Sequence, residues 1–221
     1  MCLSSTLILT VILGFLGQYV AFARQDVTTD LFGSENYGTV AAFGDFNSDK
    51  QTDIFIIREQ SELVIFLADL KAPYFKPKVR LGKDDIPNDM AISSVVPGDF
   101  DGDSQMDVLL TASPKGQVTP DTTVFVFWGN NQTLDKTSRV KLNKTFKDQP
   151  LVMDFNGDMI PDIFGVVGDS TQVCYLTRRE VSWQDALGSV QMRVPHSNAF
   201  IDLNKDFTAG KFTAQCSVRR M

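Results

Sequence analysis

Beyond residue 38 the apolar residues fall in short runs bounded by Gly, Pro, Asp, Asn or Ser. TVAAFG (39–44), IFII (54–57) and LVIFL (63–67) form one group. SVVPG (94–98), VLLT (108–111) and TVFVFW (123–128) form a second, and PLVM (150–153), IFGVV (163–167) and QVCYL (172–176) a third. Such runs, rich in β-branched and aromatic residues, predict strands. Two further segments, FKPKVRL (75–81) and SRVKL (138–142), mix apolar residues with lysine, arginine and proline. That mixture suits exposed outer edge strands. No helical spacing of useful length occurs outside the first 23 residues.

The strand groups carry a repeat. Asp45 to Asp53 reads DFNSDKQTD, Asp99 to Asp107 reads DFDGDSQMD, and Asp154 to Asp162 reads DFNGDMIPD. All three fit D-F-[DN]-x-D-x-x-x-D. Their starts lie 54 and then 55 residues apart. Each loop joins the first two strands of its group. A repeat of this length, built from about four strands, has the pattern of a propeller blade. Each blade has an apolar face that the next must cover. The expected class is therefore all-β, a partial β-propeller of three blades plus the start of a fourth. The fourth unit, FIDLNKDFTA (200–209), keeps D-x-N-x-D but has Gly210 where the last acid belongs. It is expected to bind no metal.

Oxygen donors at alternating positions of a wrapped loop converge on one hard cation, and calcium takes six to eight oxygens. The expected ligands are Asp45, Asn47, Asp49 and Asp53 with the Gln51 carbonyl. In the second loop they are Asp99, Asp101, Asp103 and Asp107 with the Gln105 carbonyl. In the third they are Asp154, Asn156, Asp158 and Asp162 with the Ile160 carbonyl. Gly102 and Gly157 mark a sharp turn, with Ser48 at the same place in the first loop. An EF-hand needs an acid at position twelve and flanking helices. Position twelve is Ile56, Leu110 and Gly165 here, and the flanks are strands. The loops lack the soft ligands that suit zinc. Calcium is thus the expected cofactor, acting as a clasp between strands, and three such ions would offset the chain's formal charge of −6.

The ends and the charge refine this picture. Residues 1–23 carry no charged side chain and end in Ala21-Phe22-Ala23 before Arg24, the pattern of a secretory signal peptide. Asn131-Gln132-Thr133 and Asn143-Lys144-Thr145 are N-glycosylation acceptors that agree with secretion. Cys174 and Cys216 remain after cleavage, too few for a disulfide scaffold; both a bridge and free thiols stay open. With no basic cluster beyond pairs such as Arg178-Arg179, nucleic acid is excluded as a partner. No second apolar stretch reaches membrane-spanning length. Catalytic readings are weak: the acids of each loop share one centre rather than forming a glycosidase pair. His196 is the single histidine, read as a surface or capping residue. Trp128 and Trp183 read as blade core. The chain is expected not to be an enzyme, with a secreted hydrolase or carbohydrate-binding propeller as the alternative.

Phe43-Gly44 before Asp45, together with the three acidic loops, resembles the FG-GAP repeat of integrin α-subunit propellers. The stretches AAFGDFNSDKQTD, FLADLKAPYFKPKV, SVVPGDFDGDSQMDVLLT, MDFNGDMIPDIFG and FIDLNKDFTA narrow the likeness to the integrin-α FG-GAP repeat-containing family, over residues 27–209. The resemblance implies a type I cell-surface glycoprotein whose propeller ectodomain meets an unknown protein partner and modulates T-cell function. It also implies that later blades and a transmembrane helix are missing. The expected organisation is a signal peptide (1–23), a partial propeller (24–209) and a divergent, disordered tail (210–221), with the chain secreted. The abrupt change at Gly210-Lys211 suggests a truncated isoform or a gene-model error.

Overall fold

The computed structural model describes residues 25–118, 121–186 and 192, and the backbone of Ala199–Ile201 and Gly210–Phe212. The signal peptide, His196, Cys216 and the acids of the fourth unit lie outside the described residues.

Twelve of the described strands form three consecutive four-stranded antiparallel sheets, each ordered as the chain runs. The first holds β1 (Thr39–Gly44), β2 (Asp53–Arg58), β3 (Glu62–Ala68) and β4 (Phe75–Leu81). The second holds β5 (Met90–Gly98), β6 (Asp107–Pro114), β7 (Thr123–Gly129) and β8 (Leu134–Lys141). The third holds β9 (Leu151–Met153), β10 (Asp162–Val167), β11 (Ser170–Tyr175) and β12 (Ser182–Asp185). This is the up-and-down blade of a propeller, repeated three times. Each acidic loop joins the first strand of its sheet to the second.

Period-2 alternation sends alternate residues to opposite faces, and the middle sheet uses both. Val108, Leu110, Phe125 and Phe127 join Phe55, Leu63 and Ile65 of the first sheet in one core. Leu109, Val124, Val126 and Trp128 join Ile163 and Cys174 of the third sheet in another. Every residue of β7 is therefore buried. The outer strands β4 and β8 are largely exposed. Lys76, Lys78, Lys136 and Arg139 on them keep unpaired edges soluble. Pro77 sits in β4, an edge strand, beside a register shift in its pairing with β3.

Two features depart from expectation. A single helical turn, α1 (Thr28–Phe32), precedes the first blade. No amphipathic pattern announces it; Phe32 holds it by packing on the rings of Phe66 and Phe75, with centroids 5.4 and 5.3 Å away. The third blade gains its fourth strand from β12, whose polar sequence, SWQD, hides it. Beyond the third blade, Gly210–Phe212 (β14) pairs with Ala199–Ile201 (β13). Backbone pairing needs no apolar run.

Candidate metal centre

The three loops share one hydrogen-bond frame, built from the backbone upward. Position four is left-handed in each, at Ser48 (φ 59°), Gly102 (φ 80°) and Gly157 (φ 78°). Position six is left-handed too, at Lys50, Ser104 and Met159. These two reversals turn successive N–H groups inward. The position-one carboxylate collects them. Asp45 accepts from the amides of Asp49 and Lys50, both at 2.9 Å. Asp99 accepts from Gly102, Asp103 and Ser104 at 2.7–3.1 Å. Asp154 accepts from Asn156, Gly157 and Met159 at 2.6–3.2 Å. The position-five acids Asp49, Asp103 and Asp158 accept the amide two residues on, from Gln51, Gln105 and Ile160, at 2.8, 2.8 and 2.9 Å. At position three, the Asn47 and Asn156 amides donate to Asp49 and Asp158, both at 2.9 Å.

Position nine differs from the other acids because it is buried. Asp53 and Asp107 are fully buried and Asp162 nearly so. One oxygen of each accepts the N–H of the loop's phenylalanine: Phe46 and Phe100 at 2.7 Å, Phe155 at 2.8 Å. Phe46 and Phe100 are themselves buried and anchor their loops in the core. The second oxygen of Asp53 accepts from Ala68 at 2.9 Å, and that of Asp107 from Gly129 at 2.7 Å. Thus this carboxylate ties the first, second and third strands of its blade together. In the third blade the partner is lost. The chain after β11 enters a 3₁₀ turn at Thr177–Arg179, and Asp162 Oδ1 is buried without a hydrogen-bond partner.

Burial pushes these carboxyls up: Asp107 to about 7 and Asp162 to about 6, with Asp53 raised as well. Taking a carboxylate out of water disfavours its charge. The amides of Phe100 and Gly129 oppose the shift at Asp107, and neighbouring loop carboxylates add to it. At Asp162 the Phe155 amide opposes, with a lesser pull from Asn156.

The donor set fits a hard cation. One oxygen each of Asp99, Asp101 and Asp107 lie within 4.8 Å of one another. Asn47 Oδ1 in the first loop and Asp162 Oδ1 in the third are buried oxygens lacking a donor, and a cation is what such oxygens accept. Asp103 is turned outward, and its second oxygen takes the Gln105 side chain at 3.0 Å. Gln105 also accepts the Asn131 amide at 2.7 Å, linking the second loop to the β7–β8 turn. Sequence reasoning placed Gln105 as a backbone donor and missed that link.

It also missed Arg179. From the turn after β11, its Nε donates to Asp101 at 2.5 Å and a terminal nitrogen reaches Asp103 at 3.4 Å. The guanidinium lies 5.2 Å from the centre of the Trp128 ring. Only the pair Arg178-Arg179 signalled it, and nothing local reveals that its second member meets a loop far back in the chain. Asn131 is exposed on the β7–β8 turn. Asn143 is exposed too, and its Oδ1 accepts from Trp183 Nε1 at 2.9 Å. Cys174 is a buried free thiol, pushed up to about 12 by burial.

The FG-GAP-like repeat family matches residues 45–110, which run from the first loop through the first half of β6. T-cell immunomodulatory protein of Homo sapiens is 54% identical over 198 residues, covering 89% of this chain and 32% of the relative. The Mus musculus protein of the same name gives the same figures. The chain is a homologue of T-cell immunomodulatory protein with FG-GAP-like repeats. It spans about a third of the length of the curated relatives it matches. Their name is not that of an enzyme. A solved β-propeller domain of Nup133 from Vanderwaltozyma polyspora matches with a TM-score of 0.38 and 11% identity, over 79% of this chain and 52% of that one. Among the described residues, no helix is long and apolar enough to cross a membrane.

Proposed function

We propose that this chain is an extracellular interaction module, carried through the secretory pathway, that modulates T-cell function by binding a protein partner at the cell surface. It acts by binding rather than by catalysis. The observation that carries this reading is the 54% identity to T-cell immunomodulatory protein over 89% of the chain. Calcium in the acidic loops stabilises the blades. Asp45, Asn47, Asp49, Asp53 and their counterparts in the second and third loops hold the ion. When bound, it supplies positive charge that keeps the buried position-nine carboxylates ionised. The chain's own residues do the rest: the position-one acids and the left-handed turns hold the loop in its wrapped form, so little ordering remains to be done on binding.

The experiment is binding of the calcium-loaded, fluorescently labelled chain to T cells by flow cytometry, with cytokine release measured in parallel. Saturable binding that falls in chelator is expected. Binding no greater than that of an unrelated calcium-loaded propeller would refute the reading.

A further inference from the structure

The second loop is the one with an acid, Asp101, where the others have Asn47 and Asn156. It thus carries four carboxylates against three. It is also the loop that an arginine reaches. Among the described residues, the ion pairs to loop carboxylates are those from Arg179 to Asp101 and Asp103. Asp101's side chain is 4% exposed, so its charge sits where water offsets little of it. Arg179 reaches it through two consecutive left-handed residues, Arg178 (φ 55°) and Arg179 (φ 68°), a conformation that residues with a Cβ disfavour. The Trp128 ring flanks the guanidinium, a cation–π contact that further fixes it.

We infer that Asp101 and Arg179 form a matched pair. The extra acid of the second loop is balanced by a cation lent from the third blade, so that the second loop presents to an incoming ion the same net charge of −3 as the third; the first loop, which carries Lys50 within its own sequence, presents −2. Arg179 is therefore the residue that sets the second loop's cation affinity. Because it comes from another blade, it makes that affinity depend on the third blade's packing against the second. This inference rests on the calcium reading of the loops.

The test uses terbium, which replaces calcium and glows when a nearby tryptophan is excited. In the full chain with Trp183→Phe, Trp128 is the sole tryptophan, and excitation at the red edge of the tryptophan band, where tyrosine does not absorb, makes it the sensitiser that is read. Arg179→Gln should tighten terbium binding at the second loop by about tenfold, because a positive charge, itself 40% exposed, is removed from beside the buried Asp101 carboxylate. Arg179→Lys, which keeps the charge, should bind within about threefold of the parent. Asp101→Asn with Arg179→Gln restores the balance and should return to the parent's affinity. Unchanged affinity in Arg179→Gln, or a double variant that stays tenfold away from the parent, would overturn the matched pair. Should Arg179→Gln fail to fold, Arg179→Lys decides: a large change in affinity there refutes the charge argument. Absence of terbium binding in every variant, with calcium calorimetry also flat, would instead refute the calcium reading itself and the pair with it.

Discussion

The second and third loops share a motif but differ in what surrounds their buried acid. Asp107 has both oxygens satisfied, by the amides of Phe100 and Gly129. Asp162 has one oxygen on Phe155 and one buried without a donor. The second loop also carries an arginine; among the described residues the third has none. The difference is that between a clasp closed by protein groups and one left open on one side. The two loops should therefore depend on a cation to different degrees, although their sequences look alike.

The largest expected effect comes from Asp107→Ala. It strands two buried amides, each costing about 1–3 kcal/mol, so roughly 2–6 kcal/mol of stability should go, with or without calcium. Asp162→Ala strands one and should cost about 1–3 kcal/mol in metal-free protein. Chemical denaturation in chelator compares them, and equal losses would break the contrast. Asp162→Asn sharpens it. The variant should be at least as stable as the parent when metal-free and lose most of the parent's stabilisation by calcium.

A pH series probes the same contrast. Burial raises Asp107 to about 7 and Asp162 to about 6, against 3.8 ordinarily. Between about pH 4 and 7 the fold then holds protons that the unfolded chain has released. These groups therefore make metal-free stability fall as pH rises through that window. Denaturation of stripped protein at pH 5 and 7.5 should show the fall, and Asp162→Asn should lessen it. A stability that rises equally in parent and variant would contradict the buried, uncompensated state of Asp162.

Smaller effects are expected at the loop surface. Asp103 is exposed, so Asp103→Ala should leave metal-free stability within about 1 kcal/mol while weakening the second loop's cation affinity less than loss of Asp101 would. Gly157→Ala meets no atom within 4 Å, so its cost is the backbone's alone at φ 78°, about 1 kcal/mol. Thermal melting reads both.

Most of this framework was legible beforehand. The runs at 39–44, 54–57 and 75–81 became strands almost residue for residue, because apolar alternation and turn residues are local signals. The acidic loops were legible from their recurrence. What escaped depends on contacts distant in sequence. Position nine looked like one more ligand; its second role, as a hydrogen-bond acceptor for the end of the third strand, needs the sheet to be folded. The orphaned oxygen of Asp162 arises from a 3₁₀ turn after β11 that no motif marks. Arg179 pairs with acids 76 and 78 residues away. The β12 strand and the α1 turn are held by packing rather than by their own propensity.

The central claim, that cations complete the clasps, is tested most directly by the melting temperature of the stripped full chain with and without added calcium. The midpoint should rise by several degrees with calcium and return when chelator is added, magnesium being a poor substitute. An identical midpoint in both conditions would contradict it.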